Sequence, residues 1–466
     1  MMMVAVREGG IASLASNYTM SPEHIFKRSV KIMSLIDRQD VYCVIGAGSS
    51  GIAAGRALQQ NGIAYEIIER EDDIGGNWYY GIPNSSVYQS THMISSKTMT
   101  EYPEYPMPES YPDYPSHTQV CEYLRAYARH FDLYQHIRFN TAVEAVERTE
   151  GGLWDIRLSD GQTYRYGGVV ICNGHNWDPK FPQYNGKFDG IILHSAEYKT
   201  PDVLRDKRVL IVGAGNSGCD IAVEAAQNAA KTYHSTRRGY WYVPKYAFGK
   251  PADTINEVPL RLGLPIWMRR AINGLILRVL VGDLRQYGLR RPDHKLLSTH
   301  PIINQQITYY MGHGKITSKP DITELYSDGV RFEDGTSAEV DVIIYATGFN
   351  ITFPFIDKAH LGWDGKRPDL YINTFHRRYD NLFCIGLIQP DSGQFWIASM
   401  QSDLMARFIR ACRTNAPAAQ SFRHIKSQER PDLGGGFQYV DSTRHYLEIE
   451  HHSYRQRIKR HLKLFA

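Results

Sequence analysis

The chain has 466 residues, a mass of 53.2 kDa and a formal charge of +4, with 22% charged and 42% apolar residues. That length suits two to three domains and that composition excludes disordered and fibrous classes. With no long basic run, nothing in the sequence suggests nucleic-acid binding.

Residues 1–37 read as an N-terminal extension in which Ser21-Pro22-Glu23-His24 can cap a short helix to about Met33. From Val41 the pattern is an apolar β-prone run, the turn Gly46-Ala47-Gly48-Ser49-Ser50-Gly51, a helix to about Asn61, a second strand from Ala64 to Ile68, and Glu69. Tyr102 to Pro115 is a Tyr/Pro-rich connection, and Ser116 caps a helix to about Phe131. Short strands fill 137–171. At Val209 the strand–turn–helix pattern begins again with Gly213-Ala214-Gly215-Asn216-Ser217-Gly218. Helices and loops follow over 250–313, strands over 329–345, and a helix over about Ile397–Cys412. The most apolar window, Ile272 to Gly282, is short and interrupted by Arg278, well below the ~20 residues of a membrane span.

One GxGxxG turn is a weak signal, but two, each between a strand and a helix, point to two dinucleotides. The first glycine permits the turn, the second lets the backbone approach a pyrophosphate, and the third lets helix and strand pack closely. The helix N-terminus then presents unpaired N–H groups to phosphate. Twenty-three residues after Gly46 stands Glu69, suited to ribose hydroxyls; twenty-three after Gly213 stands Thr236, flanked by Ser235, Arg237 and Arg238. An arginine fork there suits a 2′-phosphate; a solvated turn is the alternative. The reading is FAD at the first site and NADP(H) at the second. Gly75-Gly76-Asn77-Trp78 can carry backbone and a flat aromatic towards the flavin. Phe188, Gly190, His194 and Tyr198 form F-x-G-x-x-x-H-x-x-x-Y, and Tyr345-Ala-Thr-Gly-Phe349 reads as a return to the first domain. The six cysteines are scattered without CxxC, which suits a reducing cytoplasm. No metal site is expected.

Together with Tyr111-Pro-Asp-Tyr-Pro-Ser-His-Thr-Gln119, Gly-Asn-Ser-Gly-Cys-Asp220 and Ile385-Gly-Leu-Ile-Gln389-Pro390, these motifs resemble the flavin-containing monooxygenases. That class of FAD/NADPH enzymes also holds the Baeyer–Villiger monooxygenases. The resemblance implies an α/β fold of two Rossmann-like dinucleotide-binding domains, the NADP domain inserted into the FAD domain. The FAD domain is then 38–178 and 340–466. The NADP domain is 179–339, with a helical substrate-side insertion at about 250–310. It implies that NADPH reduces the flavin, that O₂ is held as a C4a-(hydro)peroxide, and that one oxygen passes to a sulfide, an amine or a ketone. It further implies a homodimer, with His194 at the domain hinge. The family's Asn on the strand matching Tyr88–Lys97 is Ile94 here. His92, two positions earlier, would share its face, either as the missing donor or as a polar wall residue, with Ser95 the next candidate. This variant strand resembles the bacterial type II branch. A two-nucleotide reductase and a non-enzymatic NADP sensor are the competing readings.

Overall fold

The computed structural model describes residues 35–466. The expected capped helix to Met33, and all of the extension up to residue 34, lie outside them. Leu35 to Asp37 already belong to a strand, Leu35–Ile45, so the first domain begins earlier than residue 38.

Two sheets organise the chain. The first has nine strands. Leu35–Ile45 is its centre, parallel to Tyr65–Ile68 on one side and Thr163–Ile171 on the other, with Ile45 opposite both Ile68 and Ile171. Leu382–Cys384 joins beside Thr163–Ile171, with Phe383 opposite Val170. Cys43 to Ile45 are all buried because both faces of the sheet are covered, which is why the strand reads as a continuous apolar run rather than an alternating one. On one face the helices Ser49–Gln60 and Phe395–Arg413 pack together; on the other lies a cluster around Trp154, Ile156 and Tyr166.

The second sheet has five parallel strands in the order Ile316–Lys319, Lys231–Ser235, Arg208–Val212, Val342–Tyr345 and Ile191–His194. The helix Asn216–Asn228 covers one face, and a small four-stranded sheet that includes Ile322–Tyr326 and Gly329–Phe332 covers the other. Here the sequence reading is corrected. The apolar run ending at Tyr345 pairs with Arg208–Val212 and with Ile191–His194, so the chain leaves the second domain after Tyr345, not at 340. Outgoing and returning segments then run side by side: Lys180 N–H donates to the Gly348 carbonyl (3.0 Å) and Asn350 N–H to that of Asp178 (2.9 Å).

The segment 250–310 contributes two longer helices, Ala252–Arg261 and Ile266–Leu280. Only Glu257 and Leu260 of the first, and Arg269 and Leu277 of the second, are buried. Glu257 meets His451 and Arg455 (3.2 Å) of the helix His451–Leu462, and Arg269 faces Glu450 at 3.8 Å. These helices are therefore docked through charge and turn Trp267, Leu275 and Val279 outward. Asp391, Glu450 and His451 converge within 4.8 Å, but the His451 ring joins Asp391 to Glu257, and the Arg269 and Arg455 guanidinium groups supply the positive charge. Among the described residues no helix is long and apolar enough to cross a membrane.

Candidate active site

Each fingerprint is built by steric necessity. Gly46 has φ +101°, and a Cβ on Gly51 would lie 1.8 Å from the Gly46 carbonyl oxygen, so helix Ser49–Gln60 seats directly on the strand end. Gly48 caps the helix without a side-chain partner, leaving its first N–H groups directed outward. The Gly75-Gly76 turn closes on this loop, since a Cβ on Gly76 would meet the Gly48 Cα at 2.9 Å. Glu69 is buried; one oxygen accepts from Ala47 N–H (2.5 Å), the other from Glu71 N–H (3.0 Å). Burial pushes its carboxyl upward, and the two N–H groups and Arg70 oppose that. Asn77 Oδ1 accepts from the backbone and hydroxyl of Ser86 (2.7 and 2.8 Å), while Trp78 packs half-buried on the core. Gly386 lies against Ser50: a Cβ there would be 2.0 Å from the Ser50 hydroxyl. The Ile385–Pro390 motif therefore touches the first fingerprint, and half-buried Gln389 pairs with Glu448 in a short strand.

In the second fingerprint Gly213 has φ +122° and a Cβ on Gly218 would lie 2.0 Å from its carbonyl oxygen, whereas nothing stands within 4 Å of a Cβ on Gly215. That open position is where a ligand can approach the backbone. Ala346, of the segment read as a return to the first domain, packs under Gly213. Asn216 Oδ1 accepts from Ile303 N–H (2.7 Å), and Ser217 is exposed at the helix start. The polar cluster at the next strand's end separates. Ser235 is buried and donates to the Pro320 carbonyl (2.7 Å), and the Arg238 fork is held by Asp293 (2.8 and 3.1 Å). The Ser235 hydroxyl and the Arg238 Nε and Nη2 groups thus have protein partners, which leaves Arg237 the freer of the two arginines. Arg237 is exposed, and its guanidinium has no hydrogen bond or ion pair among the described residues.

Tyr88 to Lys97 does not form the expected strand. It begins in a turn, with Thr91 N–H on the Tyr88 carbonyl, continues through a single bridge from His92 to Ser116, and becomes helical at Lys97. The alternation that would set His92 and Ile94 on one face is absent. His92 is exposed with Nδ1 against the Ser90 carbonyl (2.8 Å), and Ser95 bonds to Thr100 (2.7 Å). His194 is fully buried, Nδ1 accepting from Ala196 N–H (3.1 Å), between the rings of Phe181 and Phe349. Burial pushes its imidazole below the usual range, and the Gly348 backbone and Glu197 oppose that.

What the sequence reading missed is the seam between the domains. Tyr198 donates to Glu224 (2.7 Å), which also accepts from Ser90 (3.0 Å); Lys199 donates to the carbonyls of Ser85 and Val87 (2.6 and 3.2 Å). Tyr88 leans on Asp220 (3.5 Å), whose other oxygen accepts from Asn304 (2.6 Å). Burial raises the Asp220 carboxyl, with Lys245 the leading opposing charge. Glu224 follows Asp220 by one helical turn, a spacing that would have disclosed it. The two cradles thus flank one seam. Both have helix N–H groups without side-chain caps, the second has an open backbone approach at Gly215, and together with Glu69 and Arg237 they fit two dinucleotides.

The sequence family described as flavin-binding monooxygenase-like matches residues 39–460. The chain belongs to this family. Human flavin-containing monooxygenase 2 is 33% identical over 429 residues, 87% of this chain and 80% of that protein. Human flavin-containing monooxygenase 5 is 33% identical over 436 residues, 87% and 79% respectively. The fold is shared with the S-allyl-L-cysteine S-oxygenase of Allium sativum (TM-score 0.62, 21% identity, 92% of this chain and 89% of that one). It is also shared with an open cyclohexanone monooxygenase (TM-score 0.66, 18% identity, 92% and 98%). This flavin-binding monooxygenase-like protein is thus an oxidoreductase whose cofactors are FAD and NADP.

Proposed function

We propose that the protein consumes NADPH in preference to NADH and transfers one atom of O₂ to a small organic molecule, a ketone or a soft nucleophile such as a sulfide or amine. The observation that carries this reading is the pair of glycine cradles flanking a single seam, with Arg237, whose guanidinium is unpaired among the described residues, beside the second. When bound, the nicotinamide supplies hydride and the flavin activates oxygen. The chain's own part is to bind, orient and exclude water. Glu69 receives ribose hydroxyls, the N-termini of Ser49–Gln60 and Asn216–Asn228 receive pyrophosphates, and Arg237 receives the 2′-phosphate. The Glu224 and Lys199 contacts tie the two sides of the seam together. His92 gives its Nδ1 proton to the Ser90 carbonyl, so Nε2, without a hydrogen-bond partner among the described residues, offers a further polar contact at this seam as the acceptor nitrogen of the neutral ring.

The family resemblance also supports a homodimer, which light scattering at twice the chain mass tests, and six free cysteines suit a reducing cytoplasm. The deciding experiment supplies NADPH, then ¹⁸O₂, to the yellow purified protein with a panel of sulfides, amines and ketones. Product carrying one labelled oxygen supports the reading. NADPH oxidation yielding only hydrogen peroxide across the panel overturns it in favour of a reductase.

A further inference from the structure

We propose that a cavity beside the second fingerprint is the organic-substrate site and that it selects neutral, hydrogen-bond-accepting molecules with an apolar body, ketones above protonated amines. This rests on the monooxygenase reading and deepens it. The cavity measures about 540 Å³ and lies between Tyr242–Phe248, the end of helix Ile266–Leu280, and residues 304–310. That volume falls in the range of small-molecule sites.

Its lining is uncharged. Tyr242, Phe248, Leu280, Val281, Tyr309 and Tyr310 supply apolar surface, Asn304, Gln305, Gln306 and Thr308 supply neutral polar groups, and among the described residues no Asp, Glu, Lys, Arg or His lines it. Phe248 and Tyr309, 71% and 59% exposed, extend the apolar wall to the surface. The floor is Asn304, whose amide orientation is fixed at both ends. Oδ1 accepts from Ile307 N–H (2.8 Å), and one Nδ2 hydrogen goes to Asp220 (2.6 Å). The second Nδ2 hydrogen has no acceptor among the described residues. The Tyr310 hydroxyl accepts from Gln227 Nε2 (2.7 Å) and so keeps its own proton to donate. Floor and wall therefore offer donors to a carbonyl.

An ammonium would meet the opposite situation. It must shed hydration on entering, and no lining carboxylate replaces it. Two acids stand one hydrogen bond behind the lining: Asp220 behind Asn304, where it feels the Lys245 ammonium, and Asp113 behind the Tyr246 hydroxyl. Aromatic faces return only part of the lost hydration. The position also connects the cavity to the reaction. Asn304 bonds the helix Asn216–Asn228, and Ile303 N–H bonds Asn216 at that helix's start, so the floor is one residue removed from the second nucleotide cradle.

The test uses the flavin-loaded protein with 4-phenyl-2-butanone and the shape-matched N,N-dimethyl-2-phenylethylamine, with binding followed by calorimetry and ligand-detected NMR. The ketone is expected to bind at least tenfold tighter than the amine. Thr308→Trp, which fills the cavity from its wall, should weaken ketone binding tenfold or more. Gln305→Glu places a carboxylate at the wall and should tighten amine binding at least fivefold while leaving the ketone nearly unchanged; it keeps the test decisive if the tryptophan variant does not fold. Equal affinities for ketone and amine, or no gain for the amine in Gln305→Glu, overturn the proposal, as does undiminished ketone binding in a folded Thr308→Trp. If binding follows the expected pattern but no oxygenated product forms, the monooxygenase reading has failed while the cavity assignment stands.

Discussion

Arg237→Ala is the sharpest test of how the second nucleotide is chosen. The residue follows the strand Lys231–Ser235, and its carbonyl accepts from Arg290 Nη1 (3.0 Å), so its backbone is fixed while its guanidinium has no hydrogen bond or ion pair among the described residues. Next to it the Arg238 fork is already closed on Asp293. A hydrogen bond to a charged group contributes about 1.5–3 kcal/mol, and about 1.4 kcal/mol is a factor of ten. Arg237→Ala should therefore raise KM for NADPH roughly 10- to 150-fold and leave that for NADH nearly unchanged. Arg238→Ala should keep the NADPH/NADH ratio and cost about 1 kcal/mol of stability, as expected for a partly exposed pair. Steady-state oxidation of both coenzymes, with stopped-flow flavin reduction to separate binding from hydride transfer, gives the two ratios. The reasoning fails if Arg237→Ala leaves the ratio intact, or if Arg238→Ala collapses it equally.

Gly218→Ala sets a methyl 2.0 Å from the Gly213 carbonyl oxygen, an overpacking that costs about 1–3 kcal/mol; the protein should keep its flavin spectrum and lose reduction by NADPH. His451→Gln tests the charge cluster under the helical insertion. Burial alone would lower the His451 imidazole, but Asp391 and Glu257 hold it at about 10, and Glu257, which burial alone would raise, is held at about 2 by His451 and Arg455. A folded value raised above the ordinary 6.5 gives stability that is complete below pH 6.5 and lost as pH climbs towards 10. His451→Gln should therefore cost about 3–5 kcal/mol in thermal melts at pH 6 and much less at pH 10; an equal loss at both would show that the ion pair is not the cause. His92→Ala should retain flavin and reduction by NADPH while product per NADPH falls and hydrogen peroxide rises; unchanged coupling would make His92 a wall residue.

Where a residue's role is set by its neighbours in sequence, the sequence was enough. Gly46, Gly51, Gly213 and Gly218 are demanded by the turn within five residues, and the Ser116 cap by Gln119 three residues on, with both halves of that capping box present. Where the partner is remote, it was not. An apolar run such as Val342–Tyr345 announces a buried strand, yet its sheet is decided by pairing with Arg208–Val212, more than a hundred residues earlier. Arg237 and Arg238 look equivalent until Asp293 engages one of them. Tyr88–Lys97 has strand-like composition, but its backbone bonds go to its own turn and to distant groups such as Asp253, which accepts from Ser96 N–H (2.6 Å).

The paired crossing at Asp178–Lys180 and Gly348–Asn350 places the two ends of the second domain within hydrogen-bonding distance of each other. A module whose ends meet can be lifted out and a relative's counterpart grafted in without stretching either junction. Such a chimaera would join cleanly at the splice and still carry mismatches elsewhere, because Glu257 must find His451, and Glu224 must find Ser90, on the host side. Transplanting coenzyme preference between family members thus calls for the cassette together with its two distant footholds.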